Sequence, residues 1–198
     1  MSDLHHDMEA IRTMVNELDI EPSHAVQVCR IALSLFDQTP SLHRLGARER
    51  DLLEAAALLH DTGYRIGVQK HHKHSRDVIM GQDLPGFDEI ERKIVACIAR
   101  YHRKAEPKPE HTLFGTMETA GQEVVLRLAA ILRIADGLDR LHIASAQSIR
   151  VEHEESLVRI IVEQRRPCPT DLWGGLRKCG LFERVFNLRV ELLADKIT

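Results

Sequence analysis

The sequence predicts a mainly α fold: a helical bundle over residues 1–145, followed by a small antiparallel β-β-α-β lobe over residues 146–198 that packs on it. Three observations carry this. Apolar residues recur at three- and four-residue spacing through most of the first 145 positions. The period then switches to two in "SIRVEHEESLVRIIVEQ" and again in "NLRVELL". A chain of 198 residues is also long enough for one well-filled core with a small appended lobe.

Each element follows from its own signal. Met8, Ile11, Val15 and Leu18 form the first helical stripe, and Val28, Ile31, Ala32 and Leu35 the second. A third helix is expected from about Ala47, with Leu53, Ala56 and Ala57 on one face and Gly63 as its C-terminal breaker. A shorter helix is expected from His74 to about Met80, and another from roughly Asp88 to Tyr101. Residues 105–120, containing "AEPKPEHT", read as a loop. "QEVVLRLAAILRIADGLDRLH" is the most apolar segment and is expected at the centre. In the lobe, Ile149 and Val151 alternate with charged residues, as do Val158, Ile160 and Val162 after a polar break at Glu154 and Glu155, which is a hairpin pattern. "DLWGGLRKCGLFERVF" reads as helical, with Trp173 and Phe182 in the core of the lobe, and Leu188, Val190 and Leu192 mark a last strand.

A formal net charge of −3 gives no sign of a nucleic-acid or membrane-surface binder. No apolar run approaches the roughly 20 residues that span a bilayer. The polar, acidic N-terminus does not read as a signal peptide. The four cysteines lack metal-ligand spacing and read as buried free thiols in a reducing compartment, so a cytoplasmic protein is expected.

The chemistry begins with "AAALLHDTGYRIG", an apolar helix that ends on His60 and Asp61. A buried carboxylate without a partner costs several kcal/mol, so Asp61 must meet a cation, a metal or several donors. Two other helices repeat the anomaly. His24 continues the stripe of Val28, Ile31 and Leu35, and Asp136 follows Ala129 and Leu132 on the inner face of the most apolar helix. A divalent cation accounts for all of them, since imidazole and carboxylate suit Mn, Fe, Co, Ni or Zn, with Mg also allowed. A hydrogen-bonded His/Asp network without metal is the alternative reading.

The order H…HD…D, carried by His24, His60-Asp61 and Asp136, resembles the HD superfamily of metal-dependent phosphohydrolases. "LLHDTGYRIG", "HKHSRDVIMGQDLPGF", "IARYHRKAEP" and "LRLAAILRIADGLDR" are similar to the C-terminal HD-like region of the exopolyphosphatase/guanosine pentaphosphate phosphatase family. The resemblance implies an HD-domain helical bundle and one or two divalent ions. One ion would sit on His24, His60, Asp61 and Asp136. A second would sit on Asp61, His74 and His102, with Asp61 bridging and metal-bound hydroxide attacking phosphorus. The larger enzymes of that family also carry an actin-like module that performs their phosphatase chemistry. A chain of 198 residues leaves no room for it, so the expectation is a free-standing, metal-competent HD protein.

The substrate expected is a small phosphorylated molecule, a nucleotide above all, with no nucleic acid, no membrane, and a homodimer as one allowed assembly. Arg65, Lys70, Arg103, Lys104 and Arg140 lie within a few residues of the proposed ligands and are candidates for phosphate contacts. His72 is a candidate for supporting the ligands or donating to substrate. Asp61 and His60 are the candidate catalytic pair. Asp139 is a third candidate, which could orient a histidine, act as general acid or base, or sit on a solvated helix end. His71, beside His72 and Lys73, reads as solvated, as do His5 and His6. The alternative function is a non-catalytic module that binds guanosine polyphosphate or polyphosphate.

Overall fold

The computed structural model describes the backbone of residues 3–195 and the side chains of residues 8–195, so the side chains of His5 and His6 lie outside the described residues. The chain is mainly helical, with a small three-stranded sheet near its C-terminal end. The helical part comprises α1 (Asp3–Leu18), α2 (Pro22–Gln38), α3 (Pro40–His43), α4 (Ala47–Leu59), a 3₁₀ turn (Thr62–Arg65), α5 (His71–Gly81), α6 (Glu89–Arg100), α7 (Thr112–Gly115) and α8 (Thr119–Gly137). The lobe comprises β1 (Ala146–Glu154), β2 (Leu157–Gln164), α9 (Pro169–Leu176), α10 (Gly180–Phe186) and β3 (Arg189–Ala194). Among the described residues, no helix is long and apolar enough to cross a membrane.

The stripes fold inward as their spacing demands. Ile11 and Val15 of α1, Val28, Ile31 and Leu35 of α2, and Leu53, Ala56 and Ala57 of α4 are all buried. They meet Val95 and Ile98 of α6 and the central α8, whose residues 128–137 are buried throughout. The apolar core runs on into the lobe through Ile160, Val162 and Phe182. Pro22 opens α2 at a position where a missing N–H costs nothing. A reciprocal cap between Asp88 and Glu91 starts α6.

Several boundaries differ from the sequence reading. Helix α5 begins at His71 rather than His74, and the loop expected over 105–120 contains the one-turn α7. Helix α8 stops at Gly137 instead of continuing to His142. The segment from Asp171 to Phe186 splits into α9 and α10, and β3 pairs parallel with β2, so the sheet is mixed rather than antiparallel. Two helices between β2 and β3 form the crossover that a parallel pair requires. The hairpin has the expected register, with Ile149 opposite Val162 and Val151 opposite Ile160. Phe182 is fully buried, but Trp173 is 48% exposed and is not part of the core.

Candidate metal centre and phosphate pocket

Helix α4 ends at Leu59, and the chain turns with His60 completely buried. His60 Nδ1 donates to the Ala57 carbonyl at 2.7 Å, and Thr62 Oγ1 donates to the Leu59 carbonyl at 2.9 Å. These bonds satisfy the carbonyls freed at the helix end. Gly63 then allows a close approach that no other residue could. A Cβ there would lie 2.2 Å from the His71 carbonyl oxygen and 2.3 Å from the Ser75 nitrogen. The first turn of α5 therefore rests directly on the His60–Gly63 turn, which brings the ring of His71 against Asp61.

The other contributors arrive from helix ends. His102 follows α6 and donates Nδ1 to the Ala99 carbonyl at 2.7 Å. Arg133 of α8 donates to the Tyr101 carbonyl at 2.8 Å and so pegs that turn to the central helix. His24 lies in the first turn of α2, and its Nδ1 donates to Asp139 Oδ2 at 2.8 Å. Asp136 lies in the last turn of α8.

The groups form two sets around one carboxylate. Asp61 Oδ2 lies 3.5 Å from His60 Nε2 and 3.7 Å from His24 Nε2. Asp136 Oδ1 lies 3.5 Å from His24 Nε2 and 3.9 Å from His60 Nε2. On the other side, Asp61 Oδ1 lies 3.4 Å from His71 Nε2 and 3.5 Å from His102 Nε2. His24, His60 and Asp136 offer ligand atoms within 4.8 Å of one another, and so do Asp61, His71 and His102.

These residues fit divalent cations. In His24, His60, His71 and His102 alike, Nδ1 faces an oxygen that only accepts, with Val68 the partner of His71 at 3.2 Å. In the neutral form of each ring the proton is thereby held on Nδ1, which leaves the Nε2 lone pair aimed at the centre. The buried atoms His24 Nε2, His60 Nε2 and Asp61 Oδ1 have no hydrogen-bond partner. Atoms of that kind are costly unless a cation meets them.

The electrostatics agree. Burial pushes His60 and His71 down to about 4, the latter helped by Arg103, and burial holds His102 well below its ordinary value. Burial, aided by the charge of Asp136, pushes Asp61 up to about 7. Burial also disfavours the Asp136 carboxylate, yet Lys178 and His24 outweigh it and hold Asp136 well below the usual range. His24 moves the other way. Burial opposes its charge, but Asp136, Asp139 and Asp61 together raise it to about 10. A proton on His24 thus supplies those carboxylates with the positive charge that a metal would supply in its place.

The sequence-predicted residues His24, His60, Asp61, His102 and Asp136 come together. His74 does not: it is half-buried on α5 outside both sets, and His71 stands where it was expected. The helix begins three residues earlier than the sequence reading had it, which turns His71 inward. Asp139 stands behind His24, outside both sets. Its Oδ2 accepts from His24 and its Oδ1 accepts from the Ala144 N–H at 2.8 Å. His72 is buried behind the ligands, edge-on to His71 and His102, and is pushed down to about 4 by burial and by His71. It does not reach the open cavity.

That cavity, of about 630 Å³, opens onto Asp61, His71, His102 and Asp136. Of the residues expected to contact phosphate, Arg103, Lys104 and Arg140 line it, whereas Arg65 and Lys70 do not. Arg65 donates instead to the Glu17 carbonyl of α1. Tyr64, Arg133, His142, Trp173, Arg177 and Lys178 also line it, and sequence reasoning missed their part. Lys178 pairs with Asp136 from 42 residues away, and His142 stacks on His24 with ring centroids 3.7 Å apart. No local pattern announces either contact.

Comparison with known proteins identifies the family. The family described as Ppx/GppA phosphatase, domain III, matches residues 8–166. The chain is 32% identical over 135 residues to the guanosine-5'-triphosphate,3'-diphosphate pyrophosphatase of Aeromonas hydrophila, covering 66% of this chain and 27% of that protein. It is 30% identical over 131 residues to the protein of the same name from Photobacterium profundum, covering 65% and 26%. It is 28% identical over 138 residues to the one from Pseudoalteromonas translucida, covering 67% and 28%. The chain spans about a quarter of the length of these curated relatives. With the family match covering most of its residues, the chain belongs to the Ppx/GppA phosphatase domain III family.

Proposed function

We propose that the chain is a metal-dependent phosphohydrolase of HD type that cleaves a phosphoanhydride or ester bond of a nucleotide or related small phosphorylated molecule. The observation that carries this reading is the division of Asp61, one oxygen facing His24 and His60 and the other facing His71 and His102. A carboxylate so divided between two sets of imidazoles suits a bridge between two cations. His24, His60, Asp61 and Asp136 would hold one, and Asp61, His71 and His102 the other. Bound divalent ions supply Lewis acidity toward phosphoryl oxygens and make water acidic enough to act as a nucleophile near neutral pH.

The protein's own groups do the rest. Asp139 and the carbonyls of Ala57, Val68 and Ala99 keep the Nδ1 protons in place, so each ring presents a lone pair. Arg103 and Lys104 line the cavity beside the ligands, where they would meet phosphate oxygens. The name shared by the relatives, guanosine-5'-triphosphate,3'-diphosphate pyrophosphatase, supports a nucleotide polyphosphate as substrate.

A second reading, a regulatory module that binds such a nucleotide without turnover, draws on one observation. Lys178 contacts Asp136, and Arg103 donates to His71 Nε2 at 3.0 Å, so side-chain cations already serve two of the ligand groups.

Metal quantification and phosphate release from a nucleotide panel with Mn²⁺, Fe²⁺ or Co²⁺ test the proposal. Bound metal and turnover, both lost in His60→Ala, are expected. No turnover by metal-loaded protein, with metal content unchanged in His60→Ala, would overturn it. Tight nucleotide binding without turnover would support the module instead.

A further inference from the structure

We propose that Trp173, Arg140 and Arg177 form a second phosphate subsite on the C-terminal wall of the cavity, which selects ligands carrying a chain of phosphates over those with a single one. The inference rests on the reading that this cavity receives a phosphorylated ligand, and it names which part of such a ligand is recognised away from the metal ligands.

The argument begins with charge. The cavity is lined by six cationic side chains, Arg103, Lys104, Arg133, Arg140, Arg177 and Lys178, and by two carboxylates, Asp61 and Asp136. Lys178 is paired with Asp136. Among the described residues, Arg140 and Arg177 line the cavity with no carboxylate within 4.0 Å, whereas Lys178 beside them has one. A single phosphate held beside His71 and His102 would engage Arg103 and Lys104, leaving the cations of the opposite wall unanswered.

The two arginines are also held in position. The guanidinium of Arg177 lies 4.8 Å from the centroid of the Trp173 ring, and that of Arg140 lies 5.4 Å from it. Stacking on the ring restrains a guanidinium while leaving its edge N–H groups free to meet oxygens in a fork. The platform itself is fixed at backbone level. A Cβ on Gly137 would lie 2.6 Å from the Gly174 oxygen, and one on Gly174 would lie 2.4 Å from the Gly137 oxygen and 3.0 Å from Arg140 Cδ. Gly137 follows Asp136 and Gly174 follows Trp173, so the ring is set at a fixed offset from a proposed metal ligand. The buried Asp171 accepts from the Leu141 N–H at 3.0 Å and fastens α9 to the loop after α8. An exposed tryptophan with two restrained, unpaired guanidiniums, locked beside a phosphate-type centre, suits the distal part of an oligophosphate.

Trp173 is the only tryptophan in the chain, so its fluorescence reports the subsite directly. Metal-free protein, kept in chelator, is titrated with orthophosphate, tripolyphosphate, a nucleoside triphosphate and the nucleoside alone. Tripolyphosphate and the nucleoside triphosphate are expected to change the emission and to bind about tenfold or more tighter than orthophosphate. Arg177→Ala and Arg140→Ala, with melting temperatures like that of the parent protein, are each expected to remove most of that preference, and Arg177→Lys to restore part of it. Equal affinity for orthophosphate and tripolyphosphate, or a preference unchanged in both alanine variants, would overturn the subsite. A nucleoside that matches the nucleoside triphosphate would overturn it in favour of base stacking. Because binding is read without metal or turnover, failure of the hydrolase reading and failure of the subsite are distinguishable.

Discussion

Replacing Asp139 by asparagine changes one atom and forces a choice that the structure makes explicit. Asp139 accepts two hydrogen bonds, from His24 Nδ1 and from the Ala144 N–H, each at 2.8 Å. Asparagine has one carbonyl oxygen and one NH₂ group, so it can serve only one of these donors. If the oxygen takes Ala144, the NH₂ faces His24 Nδ1 and pulls the ring into the other tautomer, with its proton on Nε2 and its lone pair turned from Asp61 and Asp136. If the oxygen takes His24, the Ala144 N–H loses its partner at a cost of about 1–3 kcal/mol. Support of this kind behind a metal-ligating histidine is worth about 10–100-fold in metal affinity, or roughly 1.4–2.7 kcal/mol. Competition of the apo-protein against a chelator, with thermal unfolding measured in parallel, reads both branches. The expected result is a 10–100-fold weaker site, a destabilised fold, or part of each. Mn²⁺ affinity within about twofold of the parent, in a variant equally stable, would refute the assignment of Asp139 as the group that orients His24.

Other consequences are as concrete. His71→Ala is expected to lower bound metal by one ion per chain, whereas His74→Ala leaves the count unchanged; inductively coupled plasma analysis of dialysed protein decides between them. Gly63→Ala places a methyl 2.2 Å from the His71 carbonyl oxygen and 2.3 Å from the Ser75 nitrogen. It is expected to cost at least about 1–3 kcal/mol in urea unfolding and to lower metal content, because His71 must move with α5. His43 supplies a pH dependence remote from the centre. It is buried, donates Nε2–H to the Phe36 carbonyl at 2.9 Å and accepts from the Leu45 N–H at 3.0 Å, an arrangement only the neutral ring can make. Burial lowers its pKa below 6.5, so its contribution is complete above that value and is lost as pH falls. The stability difference between the parent protein and His43→Leu should therefore narrow between pH 7.5 and pH 5; a gap that widens on acidification would contradict the assignment.

How much of this could be read from the sequence depended on whether the signal was local. His24, His60, Asp61 and Asp136 were legible because each breaks an apolar stripe of its own helix, and the cost of a buried polar group gives such a break meaning. The hairpin was legible from its alternation, with Val151 opposite Ile160. His71 was hidden by its neighbours. In "HHKHS" nothing separates three imidazoles until the first turn of α5 settles on Gly63. Trp173 was misplaced because an aromatic residue in an apolar stretch is ordinarily core. What exposes it is the backbone contact between Gly137 and Gly174, which lies 37 positions apart in the chain. The parallel pairing of β3 depended likewise on the break at residues 177–179, which has no strong breaker beyond Gly180. Lys178 reaches Asp136 only because of that break.

Anomalous diffraction from crystals of Mn²⁺-loaded protein, recorded on both sides of the manganese edge, tests the two-sided role of Asp61 most directly. Two peaks are predicted, one among Asp61 Oδ2, His24, His60 and Asp136, the other among Asp61 Oδ1, His71 and His102. A map without density at either position, with those side chains bonded to one another or to Lys178 and Arg103 alone, would contradict the account.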